Sequence, residues 1–162
     1  MTIKIRKASA KDAKAFLSLV HALADYEKLD PPSPSAERRL VQDIFARESK
    51  KKKLNLLLAF SDHKAIGYAL YFFTYSSFLA RPTLYLEDIF VLEEFRGKKI
   101  GKSLFLHLAK EAKRGGCGRM EWSVLTWNKS AIGFYEKMGA RRLDEWHYYR
   151  LDQDKIASLA TA

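Results

Sequence analysis

Residues Tyr85 to Phe105 read "YLEDIFVLEEFRGKKIGKSLF", and the way this stretch divides decides the fold. The run "TLYLEDIFVL", Thr83 to Leu92, is apolar with a polar interruption and reads as a strand. A turn follows, "FRGKKIGK", in which Gly97 and Gly101 lie among Arg96, Lys98, Lys99 and Lys102. The chain then enters a helix predicted from Ile100 to about Arg114. Ile100, Leu104, Leu108 and Ala112 recur on one stripe of it, and Gly115 and Gly116 stop it. "RMEWSVLTW", Arg119 to Trp127, reads as the next strand. Strand, glycine turn, helix and strand together suit a right-handed parallel crossover.

The turn has a chemistry of its own. The first N–H groups of a helix have no intrahelical partner and, with the helix dipole, favour an anion. Glycine lets backbone approach a phosphate closely, and the four cations add charge. A solvated surface turn is equally compatible with these residues. The spacing is neither that of a P-loop nor that of a dinucleotide fingerprint.

Outside this stretch the reading is of one mixed α/β domain over residues 1–162. "TIKIRKA" alternates as a strand. Ser9 and Asp12 resemble a capping pair at a helix start, and Phe16, Leu19, Val20 and Leu23 follow at helical spacing. That helix fades near Leu29. "DPPSP", Asp30 to Pro34, is a loop, and a second helix is predicted from about Ala36 to Arg47 with Leu40, Ile44 and Phe45 on its apolar side. "LNLLLAF", Leu54 to Phe60, and "AIGYALYFFTY" flank the turn "SDHK" as a hairpin. Asn128 caps a helix over Lys129 to Met138 that Gly139 ends. "ARRLDEWHYYRLD" reads as a closing strand or hairpin. The predicted order is β-α-α-β-β-β-α-β-α-β.

Composition narrows the class. The chain has 162 residues, is 48 % hydrophobic and carries a formal net charge of +10, which allows a substantial core and attracts anions, whether nucleic acid, acidic lipid or a phosphorylated small molecule. No apolar run reaches the roughly 18 residues a membrane span needs. The N-terminus lacks the apolar centre of a secretory signal. The single cysteine, Cys117, points to a reducing, cytoplasmic setting and to a structural thiol. The basic cluster Ser49 to Lys53 reads as a solvated loop. The four histidines show no close ligand pair, so a metal site is not expected.

Three sets of residues carry candidate chemistry. The phosphate turn is the first. Glu87 and Asp88, which interrupt an apolar strand, are the second. Strict alternation puts them on opposite faces, and a carboxylate turned inward needs partners. The third is "WNKSAIGFYEKMGA", where Ala131, Phe134, Tyr135 and Met138 stand at helical core spacing, so that by itself Tyr135 reads first as a packed core aromatic.

In this order and spacing, "YLEDIFVLEEFRGKKIGKSLF … VLTWNKSAIGFYEKMGA" resembles the GNAT superfamily of N-acetyltransferases over nearly the whole chain. With "LADYEKL" and "YFFTYSSF" it looks closest to the diamine acetyltransferases, the spermidine/spermine and thialysine enzymes. The resemblance implies a mixed, mostly antiparallel sheet with flanking helices and an acetyl-CoA site where the Thr83–Leu92 strand passes to the helix and the next strand. Arg96 and Gly101 match the ends of the family's pattern, arginine or glutamine, two residues, glycine, one residue, glycine or alanine. Lys99 stands where the middle glycine is usual. With helical or extended torsions there, its amide would still face the pyrophosphate.

The resemblance further implies roles. Backbone of Ile89, Phe90 and Val91 would pair with the pantetheine arm like an added strand. The turn Arg96, Gly97, Lys98, Lys99, Ile100, Gly101 and Lys102 would hold the pyrophosphate. Asn128, Ser130 and Ala131 would flank the cofactor on its other side. Tyr135 would protonate the departing thiolate, and Glu87, through water, would take a proton from the amine. Tyr26 and Glu27 match a substrate-contacting pair, and Glu121, Trp122 and Ser123 a substrate-lining strand. The implied substrate is a primary amine of a small molecule. A lysine analogue or diamine is favoured by "EKL" and "VLTWN", with polyamines and peptides as alternatives. Relatives of this branch are homodimers, so a homodimer is expected. From other classes come a basic nucleic-acid-binding module and a catalytically silent acetyl-CoA sensor. Many of the cations that suggest nucleic acid are equally explained by CoA.

Overall fold

The computed structural model describes residues 2–46 and 52–161. They form two compact units, Met1–Ser123 and Val124–Ala162.

The first unit is built on a five-stranded sheet in the order β1-β2-β3-β4-β5. The strands are β1 (Ile3–Lys7), β2 (Asn55–Ser61), β3 (Lys64–Ser76), β4 (Arg81–Val91) and β5 (Arg119–Glu121). All neighbours are antiparallel except β4 and β5, which run parallel. Parallel neighbours need a crossover, and α3 (Ile100–Arg114) supplies it at the predicted bounds. Ile100, Leu104, Leu108 and Ala112 are buried, with Phe105 beside them.

The continuous burial of Leu56 to Ala59 means that both sheet faces are covered. On one face Phe16 and Leu19 of α1 (Ala13–Glu27) and Ile44 of α2 (Pro34–Phe45) pack with Leu56, Leu58, Tyr68, Leu70 and Phe90. Contacts of α3 with β4 and β3 cover the sheet from its other helical neighbour. Pro34 opens α2 instead of closing the preceding loop. Its missing N–H costs nothing at a first helical position. The predicted end of that helix at Arg47, and Ser49, Lys50 and Lys51 of the basic cluster, lie outside the described residues.

The entry to α1 is tied by side chains. A 3-10 turn at Ala10–Asp12 precedes the helix. The Asp12 carboxylate accepts from the Ser9 N–H at 2.7 Å and the Ser9 hydroxyl at 2.9 Å. Arg6 donates to both of its oxygens at 2.8 Å. This pairing with Arg6 holds the Asp12 carboxyl well below the usual carboxylate range.

One irregularity re-aims β4. The β3–β4 register pairs Tyr71 with Leu86 but Leu70 with Asp88, so Glu87 is skipped. One extra residue in one strand is a β-bulge. Cross-strand partners share a face. Leu84 and Leu86 therefore lie with Phe73 and Tyr71, whereas Asp88 and Phe90 lie with Leu70 and Tyr68, on the α1 face. The period-two alternation along β4 therefore breaks between Leu86 and Asp88, because the skipped residue resets it.

Two further predictions are corrected. β5 pairs with β4 only through Arg119, Met120 and Glu121 and does not continue to Trp127. Strand structure persists only where a neighbour takes its backbone bonds, and the pairing ends at Tyr85 and Glu121. In the second unit, residues 140–152 contain no strand, and a short helix α5 (Gln153–Ala160) follows. Trp146, Tyr148 and Tyr149 there are all strongly exposed, and a strand without a partner or a buried face has nothing to hold it. α4 (Lys129–Lys137) forms as predicted. The Asn128 Oδ1 accepts from the Ala131 N–H at 3.1 Å, and Gly139, with φ 88°, closes the helix in the left-handed conformation. No described helix is long and apolar enough to cross a membrane.

Candidate active site

Where β5 leaves β4, the far half of β4 has an edge that no described strand covers. The Val91 carbonyl lies on that side and accepts from Arg96 Nε at 3.0 Å. On the β3 side the two strands press close. A Cβ on Gly67 would meet the Phe90 carbonyl oxygen at 2.7 Å, so only glycine lets β3 and β4 approach there. Ile89, Phe90 and Val91 thus sit at the mouth of a splayed strand pair.

The edge leads into the turn. Gly97 has φ 74° and Lys99 has φ 63° with ψ 11°. The expected helical or extended torsions at Lys99 are not found. The lysine takes the left-handed conformation that glycine adopts without penalty, at a cost of roughly 1–2 kcal/mol for a residue with a Cβ. The reason lies in the junction. Lys99 is the N-cap of α3, and the chain has to reverse there to start the helix. No side chain caps this helix. Its first intrahelical bond runs from the Ser103 N–H to the Lys99 carbonyl at 3.0 Å, so the amides of Ile100, Gly101 and Lys102 precede the ladder. A Cβ at Gly97 or Gly101 would have no neighbour within 4 Å, which leaves the approach to these amides open. The residues present suit a pyrophosphate: uncapped amides, open backbone and positive charge. Lys98 instead bends back, its Nζ donating to the Glu94 carbonyl at 3.1 Å.

Beside the edge lies a carboxylate group of three, centred on the bulge. Asp88 accepts from the buried Tyr68 hydroxyl at 3.3 Å. Burial, then the Glu87 charge, and finally Glu27 push the Asp88 carboxyl up to about 6, against the opposing hydrogen bond from Tyr68. Glu27 is itself raised by burial, and Tyr68 is raised well above its ordinary value by burial and then by Asp88. Glu87 is exposed. Asp88 is therefore a protonatable group that the predicted site omits. Its signal was present in the sequence, as an acidic pair inside an apolar strand, but the bulge that turns it toward Tyr68 left no mark there. Tyr26, at the end of α1, has its ring 6.3 Å from Phe90 and under the Arg96 guanidinium at 4.3 Å. On β5, Glu121 pairs with Arg119 at 2.9 Å, Trp122 meets Phe105 edge-on at 5.4 Å, and Ser123 is exposed.

The second unit holds the other predicted residues. Asn128 caps α4, and its side chain engages the Ala131 amide. Ser130 is exposed, and Tyr135 is half-buried with its ring 5.3 Å from Phe134. Cys117, in the first unit, has its thiol pushed up by burial, which suits a structural thiol and not a nucleophile.

Residues 19–140 match the acetyltransferase (GNAT) family. The chain belongs to that family. As a GNAT protein it is an N-acetyltransferase, close to the diamine acetyltransferases. It is 35 % identical to a thialysine N-epsilon-acetyltransferase of Sus scrofa, with 98 % of each chain covered. It is 44 % identical to an L-ornithine N5-acetyltransferase of Arabidopsis thaliana over 61 % of this chain and 43 % of that one. Among solved structures, an integron cassette protein from the mobile metagenome of V. cholerae superposes with a TM-score of 0.81 at 25 % identity, covering 100 % of this chain and 99 % of that one. An aminoglycoside acetyltransferase in complex with a CoA bisubstrate analogue superposes with a TM-score of 0.74 at 21 % identity, over 94 % and 99 % of the two chains, a likeness of fold.

Proposed function

We propose that the protein transfers acetyl from acetyl-CoA to a primary amine of a small molecule, a lysine analogue such as thialysine or a compact diamine. The reading is carried by one observation: an uncapped helix start, held open by Gly97 and by Lys99 in glycine's conformation, at the end of a β4 edge that borders a carboxylate group. Relatives named for thialysine and ornithine acetylation support the substrate class.

In this reading the amides from Gly97 to Lys102 hold the pyrophosphate, with charge from Lys99 and Lys102. Backbone of Ile89 to Val91 takes the pantetheine arm as a further strand. The family resemblance assigns Asn128, Ser130 and Ala131 to cofactor binding. Acetyl-CoA supplies the thioester. Tyr26, Glu27 and the Glu121–Ser123 segment line the amine side. An alkylammonium with a pKa near ~10.4 cannot attack while protonated. Glu87 holds the cation and, through water, accepts its proton. A strand N–H steadies the developing oxyanion, and the Tyr135 hydroxyl gives its proton to the leaving sulfur. We assign the enzyme to the cytoplasm as a homodimer that needs no metal.

A coupled thiol-release assay at fixed acetyl-CoA, over amino acids, diamines, polyamines and peptide amines, tests the reading. Turnover is expected with lysine-like amines, and silence across the panel sinks it. Tyr135→Phe should lower kcat roughly 100-fold while acetyl-CoA affinity stays within about two-fold of wild type. An unchanged kcat removes Tyr135 from its role.

A further inference from the structure

Arg96 opens the phosphate turn, but its side chain does not reach along that turn. It lies back across the end of β4. Its Nε donates to the Val91 carbonyl at 3.0 Å, and its guanidinium carbon sits 4.3 Å from the Tyr26 ring centre and 5.6 Å from that of Phe90. A planar cation over an aromatic face is attracted by the ring quadrupole, and the carbonyl bond fixes the plane that makes the stack. Tyr26 and Phe90 are themselves ring neighbours. Arg96 thus joins the end of β4, through the Val91 carbonyl and the core aromatic Phe90, to the last turn of α1.

That last turn is a poorly anchored place to build a wall. α1 ends at Glu27, and Lys28 follows in the left-handed conformation with φ 56°. The next bond, from the Leu29 N–H to the Ala24 carbonyl at 3.0 Å, closes the helix locally. Phe90 and the Arg96 guanidinium both lie against the Tyr26 ring, and the latter comes from the turn assigned to the pyrophosphate.

We propose that Arg96 is a positioning residue for the amine: it ties the Tyr26–Glu27 wall to the phosphate turn, so that one side chain serves both halves of the site. The inference rests on the function proposed above. Lysine cannot replace it, because an ammonium keeps the charge but lacks both the stacking plane and the Nε–H directed at Val91.

The test uses Arg96→Lys, Arg96→Leu, Tyr26→Leu and the Arg96→Lys/Tyr26→Leu double variant of the full chain. Kinetics are run at saturating acetyl-CoA, so that any weaker grip on the cofactor drops out. Arg96→Lys is expected to raise the amine KM by about 5- to 10-fold with kcat nearly unchanged, on the scale of one lost cation–π contact and hydrogen bond. Tyr26→Leu should do the same, and the double variant should be no worse than the worse single. Urea unfolding of the same set, which needs no substrate, should show non-additivity of about two- to five-fold in the unfolding constant. An unchanged amine KM in Arg96→Lys, or additive effects in either measurement, overturns the proposal. A wild-type protein that turns over no amine strikes the function reading, while the unfolding cycle still decides whether Arg96 and Tyr26 are coupled. If Arg96→Leu fails to fold, Arg96→Lys decides alone.

Discussion

Two helices of the first unit begin in opposite ways. The entry to α1 is closed. Asp12 gathers Arg6, the Ser9 amide and the Ser9 hydroxyl, and only 11 % of its side chain is exposed. The entry to α3 is open. It has no side-chain cap, the turn residues Arg96 to Lys99 before it are exposed, and a lysine holds a left-handed torsion at its N-cap. Helix starts tend to satisfy their own amides. The first does so through the 3-10 turn ahead of it, where the Ala13 N–H donates to the Ala10 carbonyl and the Asp12 carboxylate ties down Ser9. The second leaves the amides of Ile100, Gly101 and Lys102 ahead of its ladder. In the function proposed above, the difference is that between a structural helix start and one that an anion completes, since strain and unmet donors persist only where something else offsets them.

Three substitutions break or sharpen this contrast, the largest effect first. Asp12→Ala removes the acceptor that closes α1 and should cost about 2–3 kcal/mol of stability at pH 7, read by urea unfolding, with acetyl-CoA affinity unchanged. Because the folded Asp12 carboxyl lies below its unfolded value near ~3.9, its contribution is present above about pH 4 and fades as pH falls through that region and below. A variant as stable as wild type at pH 7 would mean that the pair contributes nothing net. Asp88 has the opposite sign. Its carboxyl is raised to about 6, so the fold is destabilised as pH climbs from about 4 to about 6 and stays so above. Asp88→Asn keeps an acceptor for Tyr68 and should gain about 1–2 kcal/mol at pH 8 but almost nothing at pH 4. A gain equal at both pH values would exclude titration of Asp88 as the cause. The smallest effect belongs to Lys99→Gly. Relief of the left-handed lysine, offset by the greater freedom of glycine in the unfolded chain, should leave a net gain of about 0.5–1 kcal/mol. Thermal unfolding checks it, and a loss of stability would show that Lys99 makes up for its torsion by contacts elsewhere.

Much of this was legible in the sequence, and the failures share a cause. The bounds of α3 follow from its own apolar stripe and its glycines, and the cap of α4 from Asn128, because local chemistry is enough to set them. Asp12 and Ser9 likewise announce the α1 entry. What escaped depends on partners distant in the chain. Trp122 to Trp127 are as strand-like as Arg119 to Glu121, but only the latter have β4 beside them. Residues 140–152 alternate well enough for a hairpin and lack a covered face, whereas α5 forms with Ile156 and Leu159 more than half exposed, so no apolar stripe advertised it. At Lys99 the residue type argued for ordinary torsions, and the demand of the β4-to-α3 junction outweighed it. The turn of Asp88 toward Tyr68 was hidden because a bulge has no composition.

That bulge also sets how the chain tolerates change in length as against change in identity. Side chains on a strand repeat every two residues, so a single unmatched position changes which residue numbers serve each layer. Before Glu87 the even-numbered residues Leu84 and Leu86 serve one layer; after it the even-numbered residues Asp88 and Phe90 serve the other. Leu86 and Asp88 pair with the consecutive residues Tyr71 and Leu70, so removal of the residue at position 87 would leave a regular ladder, with Asp88 and Phe90 still in the layer they share with Tyr68. The strand can lose a residue at this point without exchanging its layers. The register against β3, more than the count along β4, places Asp88 beside Tyr68.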